Sequence, residues 1–184
     1  VAAAMIGIAD FDWSASGSTR LPGAIVEHLT SLGGIITENG GQTPCTDFIR
    51  AGAAGSSGTV TEPYALQEKF PSPFMHVHYA KGFCLAEAFA MSLAGPYQLL
   101  IIGDPLCRPW AKPPVVKFGP WKPGQTKLSV TSTPSSKDVT LYVDGKLLGS
   151  NASGSFTLSS KQLAPGTHIA TAIVGGPEPS RAPG

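Results

Sequence analysis

The proline-crowded stretch "RPWAKPPVVKFGPWKPGQ", residues 108–125, divides the chain into two segments that follow different rules. Before it, apolar runs alternate with helical patterns; after it come only short alternating segments separated by turn residues. Proline fixes φ and lacks an amide donor, so so many prolines neither continue a helix nor enter the middle of a sheet. The pattern predicts a domain over 1–111, a stiff extended linker over 112–124, and a second domain with a C-terminal linker over 125–184. Trp110, Phe118 and Trp121 make that linker more apolar than a free tether, so it is expected to pack on a neighbour.

A chain of 184 residues, 42% hydrophobic and 14% charged, can hold one medium and one small globular domain. Its formal net charge of +1, with no basic cluster or acidic tail, gives no reason to expect nucleic acid or anionic membrane as partner. Apolar runs such as Leu99 to Ile102 are far too short to span a bilayer, so no membrane insertion is expected in this segment. "VAAAMIGIADFDW" reads as a core strand entering an acidic turn, and "VGGPEPSRAPG" stops in a Gly/Pro-rich linker. The expectation is an internal piece of a longer polypeptide. Cys45, Cys84 and Cys107 lack CxxC spacing, which excludes a zinc site on paired cysteines. Buried small apolar side chains, or one disulfide with one free thiol, both fit them.

In the first segment, Met5 to Ala9 reads as a buried strand, and "IITE" as another. "LPGAIVEHLTSLGG" reads as a short helix, with Ile25, Leu29 and Leu32 on one face and Gly33-Gly34 as its stop. "TPCTDFIRAG" offers Thr43 as N-cap, Pro44 at the first helical position and Asp47 in the first turn. Residues 57–62 look like a strand. "GFCLAEAFAMSLAGP" is helical, with Leu85, Phe89 and Leu93 in phase and Gly95-Pro96 as terminator. "YQLLIIGDPLC" is a continuous apolar strand, which suggests burial on both faces and a mostly parallel sheet between helices, hence α/β. The second segment is all-β, with roughly four to five strands, and fits a small immunoglobulin-like sandwich. Asp144-Gly145 marks a hairpin turn within it.

"LPGAIVEHLTSLGG", "RAGAAGSSGTVTEPYALQEKFPSPF" and "LAEAFAMSLAGPYQLLIIGDPLCRP" together resemble a bacterial extracytoplasmic family of uncharacterised proteins, distantly related to the gingipain and clostripain peptidases. The resemblance covers about residues 5–111. The remainder resembles the small β-sandwich modules that follow peptidase-like domains in secreted bacterial proteins. The resemblance implies a partial caspase-like α/β domain and an extracellular or periplasmic location. In active peptidases of that fold, a Cys at a strand end sits in a small-residue loop and a His moves protons. Ala53 to Gly58 falls where that loop would lie and holds no cysteine; Ser56 and Ser57 stand there instead. A GxSxG elbow fails as well, because Thr59 occupies its last glycine position.

Other residues are candidates for a rebuilt site. A His28–Ser57 dyad is conceivable, although a helical His28 beside Glu27 also suits a surface or helix end. Cys84, at a helix start, is a second candidate nucleophile, with His78 or His28 as base; a helix-packing role fits it better. In "HVHY", His76 and His78 would share one face of an extended segment, where a metal would need a third ligand from Asp10, Asp12 or His28. Polar-aromatic packing is the alternative. Asp10 and Asp12 of "DFDW" lack the dense acidic spacing of a calcium loop. Glu62-Pro63 and Asp104-Pro105 follow expected strands, where carboxylates line a ligand crevice or cap backbone amides. Asn151-Ala152-Ser153 fits an N-glycosylation pattern or a polar turn. A carbohydrate platform needs exposed aromatics, and residues 125–184 hold only Tyr142 and Phe156.

The expected function is therefore a non-catalytic extracytoplasmic structural or interaction protein, with an inactive peptidase-like domain, no cofactor, and protein partners or self-association at the cell surface. The alternative is a cysteine or serine peptidase of gingipain-like type.

Overall fold

Parallel pairing of three short strands builds the sheet of the first unit: β1 (Ala3–Ile6), β2 (Ile25–His28) and β3 (Gly55–Thr59). A fourth strand, β4 (Leu99–Gly103), closes the order β1-β2-β3-β4 by running antiparallel to β3. The computed structural model describes residues 1–38, 40–61, 66–95, 98–159 and 163–176. It divides into two compact units, Val1–Ala111 and Lys112–Gly184.

Alternation along β2 sends its side chains to two separate cores. Val26 joins Ile6, Ala53 and Phe48, the last from helix α1 (Cys45–Arg50). Ile25 joins Met75 and Tyr79 of α2 (Phe74–Ala80), and Leu85, Ala88 and Phe89 of α3 (Leu85–Ala90). Helices thus cover both faces, an α/β layering. A single 3₁₀ turn, Gln67–Lys69, precedes α2.

Several expectations change. The helix read over "LPGAIVEHLTSLGG" is β2, entered by a turn in which Ala24 N donates to Leu21 O (3.0 Å). Its four residues are all buried. A strand covered on both faces carries no alternation, and Ile25, Leu29 and Leu32 match a helical period only by accident of spacing. "HVHY" lies in α2 rather than in an extended segment. "IITE" forms no strand. Pro44, not Thr43, is the N-cap of α1; the Thr43 hydroxyl instead accepts the Phe11 amide (2.9 Å). β4 is an edge strand, with Ile101 exposed, rather than a strand buried on both faces.

The small-residue stretch expected as a loop over Ala53 to Gly58 is mostly strand. Gly55 to Thr59 form β3, every residue buried between β2 and β4. Its glycines answer to space. A Cβ on Gly58 would lie 2.4 Å from the Gly33 carbonyl carbon and the Gly34 nitrogen, and one on Gly55 would lie 2.0 Å from Leu85 Cδ1.

The second unit is all-β. One antiparallel sheet has the order β5 (Val115–Phe118), β6 (Lys127–Thr133), β9 (Ser155–Thr157). The other has β10 (Ala170–Val174), β7 (Val139–Val143), β8 (Lys146–Asn151). Leu128, Val130 and Phe156 from the first meet Val139, Leu141 and Val174 from the second in one core. Asp144 (φ 48°) and Gly145 (φ 76°) make the hairpin turn between β7 and β8, with both central residues left-handed as a type I′ turn needs. Within the proline-crowded stretch, Val115 to Phe118 pair with β6 as a sheet edge. Edge pairing suits the prolines that flank it, since an edge strand leaves half its amides unpaired.

Candidate functional site

The β2–β3 register sets Glu27 opposite Ser57 and His28 opposite Gly58. Neighbouring residues of a strand point to opposite faces, so Glu27 and Ser57 turn towards the α2–α3 side while His28 turns towards α1. Ser57 Oγ donates to Glu27 Oε2, and both residues are fully buried. Among the described residues Glu27 Oε1 and Ser56 Oγ have no hydrogen-bond partner. Burial, opposed by the Ser57 hydrogen bond, lifts the Glu27 carboxyl to about 8, so it is mainly neutral at pH 7.

His28 is committed elsewhere. Its Nε2 lies 3.0 Å from Ile8 O, which can only accept, so Nε2 carries the proton and Nδ1 accepts the Thr30 hydroxyl (3.0 Å). Its ring meets Phe48 edge-on at 5.3 Å, and burial lowers its pKa. Both nitrogens of this neutral imidazole are thus used. The His28–Ser57 dyad does not form; the partner Ser57 finds is the Glu27 carboxyl opposite it.

Cys84 is the N-cap of α3 and takes part in a capping box, its own amide donating to Glu87 Oε2 (2.8 Å). Among the described residues no histidine nitrogen hydrogen-bonds to Cys84, Ser56 or Ser57. Cys45 is buried on α1, its thiol pushed up to about 11, chiefly by burial. His76 and His78 sit two apart on a helix, where successive side chains diverge, instead of sharing a strand face. Both His76 nitrogens are buried without hydrogen-bond partners among the described residues, and burial lowers its pKa. His78 meets the Phe83 ring edge-on. Asp10 and Asp12 are exposed, and Asp12 Oδ1 accepts the Ser14 amide (2.8 Å) in a local turn. Among the described residues no three His, Cys, Asp or Glu side chains gather as a metal set would.

The remaining candidates act locally. Asp104 is exposed and caps the Leu106 amide (3.0 Å). Asn151 Nδ2 donates to Ser155 O (3.0 Å), and its Oδ1 accepts the Ser153 hydroxyl (3.0 Å), which closes the β8–β9 turn. Glu62-Pro63 lies outside the described residues.

Sequence reading missed Glu27 as a site residue, since with "IVEH" read as a helix it was only the neighbour of a surface or helix-end His28. The β-branched pair Ile25-Val26 was the available signal. It also missed Lys69, which is buried and donates to Thr61 O (2.8 Å). A cavity of about 580 Å³, lined by Met5, Leu29, Gln67, Phe70, Ser72 and Pro73, opens beside the C-terminal end of β2. Ligands of open α/β sheets bind at such strand ends. Among the described residues its lining carries no acid, base or thiol.

Chemically, the Glu27–Ser57 pair satisfies two buried polar groups. A hydroxyl sealed in a central strand has no path to a peptide carbonyl. The β3 backbone is engaged with β2 and β4, so it offers no free pair of amides as an oxyanion hole. Comparisons with protein-family models, with curated proteins and with solved structures returned no match.

Proposed function

We propose that this chain is a non-catalytic extracytoplasmic structural or interaction protein that associates with protein partners, second copies of itself included, at the bacterial cell surface. In this reading the first unit is a caspase-like scaffold without peptidase chemistry, and the second is an immunoglobulin-like association module. The observation that carries it is the complete burial of Ser56 and Ser57 inside β3, with Ser57 hydrogen-bonded to Glu27 and His28 on the opposite face. Association draws support from the second unit, where β5, β8, β9 and β10 are all sheet edges. Exposed apolar side chains stand on three of them: Val115 and Phe118 on β5, Leu147 on β8 and Ile173 on β10. Unpaired edges are the usual template for strand addition between chains. A net charge of +1 leaves little repulsion between copies.

Sedimentation of the purified chain over a concentration series tests this, alongside hydrolysis of a mixed peptide library. The expected result is concentration-dependent association and no hydrolysis. Hydrolysis that disappears in Cys84→Ala or Ser57→Ala would replace this reading with the gingipain-like peptidase.

A further inference from the structure

The start of α3 lies against the turn that follows β4. Leu85 N donates to Cys107 O (2.9 Å) and Ala86 N to Pro105 O (3.1 Å). Cys84 is one peptide link from that first hydrogen bond. Standard bond lengths then place the Cys84 and Cys107 Cα atoms about 4–6.5 Å apart. Disulfides span Cα separations of about 4.4–6.8 Å. Both residues are partly buried and both thiols are free.

The Cys107 side chain has a polar neighbour on α2. The Tyr79 hydroxyl donates to Gly23 O (2.9 Å) and lies 3.2 Å from Cys107 Sγ. Burial first, then the Cys107 contact and the charges of Cys107, Asp104 and Cys84, hold the Tyr79 phenol well above its ordinary range. Cys107 therefore lies against the Tyr79 hydroxyl, while Cys45 sits on α1, against the other face of the sheet.

We propose that Cys84 and Cys107 are a disulfide-forming pair, oxidised by a small-molecule or protein disulfide. In the exchange, one protein thiolate attacks a sulfur of the oxidant RSSR, forms a mixed disulfide and expels RS⁻. The second thiolate then attacks the protein sulfur of that mixed disulfide and expels the other RS⁻. The two protein thiols give up two electrons and two protons, and the oxidant leaves as two RSH. The bridge ties α3 to the turn after β4, the antiparallel edge of the sheet. The proposal rests on this backbone geometry and not on the extracytoplasmic reading, although an oxidising compartment is where such a bridge persists.

The test uses the reduced full chain incubated with oxidised glutathione, then unfolded in guanidinium for thiol counting and peptide mapping. The three thiols of the reduced chain are expected to fall to one. The mapped product is a Cys84–Cys107 cross-linked peptide lighter by two hydrogens, with Cys45 still reduced. Oxidised protein is expected to melt higher than reduced protein. Cys84→Ser and Cys107→Ser are each expected to give no intramolecular cross-link. A count that stays at three, glutathione adducts that never resolve into a cross-link, or a bridge to Cys45 would overturn the proposal. Sedimentation separates the two readings: a chain that associates but never forms the cross-link on oxidation overturns the bridge alone, and a chain that forms it but does not associate overturns the association alone.

Discussion

Glu27 holds a carboxyl in the middle of a sheet, with one oxygen on Ser57 and the other without a partner among the described residues. Burial raises its pKa from 4.5 to about 8. Between those values the native state binds a proton that the unfolded chain has released, so stability falls as pH rises from about 4.5 to about 8 and levels off above. Glu27→Gln keeps the shape and removes the titration. It is expected to stabilise the α/β unit at pH 7 by as much as about 3 kcal/mol. It should also flatten the pH profile, as read by urea unfolding at a series of pH values. A profile that keeps its slope in the variant would show that Glu27 does not carry it. At this scale the sequence was only partly legible. Glu27, His28 and Ser57 were all in view, yet adjacent residues of a strand serve opposite faces, and which partner each finds depends on a register between segments thirty residues apart.

At the scale of elements, β3 shows why small residues cluster there. Replacing a strand glycine with alanine ordinarily gains something in chain entropy. At Gly58 the added methyl would sit 2.4 Å from the Gly33–Gly34 backbone, which has no flexible end to yield. Gly58→Ala is therefore expected to destabilise the α/β unit by about 1–3 kcal/mol, measured by denaturant unfolding. A neutral or stabilising result would mean that the 33–34 turn moves away freely. In the β unit, His168 joins the β7–β8 turn to the segment before β10. Its Nδ1 lies 2.7 Å from Asp144 Oδ2 and its Nε2 2.7 Å from Ala164 O. Both partners are acceptors, so the imidazolium satisfies both at once. The Asp144 and Ala164 bonds raise the His168 pKa, while the Ile169 amide and His168 lower that of Asp144. A raised histidine contributes stability that is complete below its unfolded value near 6.5 and lost as pH rises through the folded value. His168→Gln should lower the melting temperature of the β unit at pH 5 and leave it little changed at pH 9. An equal loss at both would assign His168 a packing role. The Asp144-Gly145 turn itself was legible in the sequence, because a two-residue left-handed turn demands such residues locally. β2 and α2 were not, since a four-residue buried strand carries no period and "HVHY" alternates as well as it spirals.

For the whole molecule, the proposed association is where a few exposed side chains would matter most. Ile173 stands exposed on β10, an edge. Ile173→Lys is expected to weaken self-association at least tenfold in sedimentation while leaving the melting temperature nearly unchanged; equal association would move the contact away from that edge. The sequence by itself determined the division near the proline-crowded stretch, an α/β pattern before it and a β pattern after it, the helices at α1 and α3, and the Asp144-Gly145 hairpin. Each of these follows from local chemistry: fixed φ, amphipathic spacing, turn residues that accept positive φ. The tertiary structure alone decided that "IVEH" is a strand, that "GSSGT" lies sealed at the centre of a sheet, and that Ser57 meets Glu27 rather than His28. Those outcomes depend on pairings between distant segments, whose energy appears only once the neighbouring strands are in place.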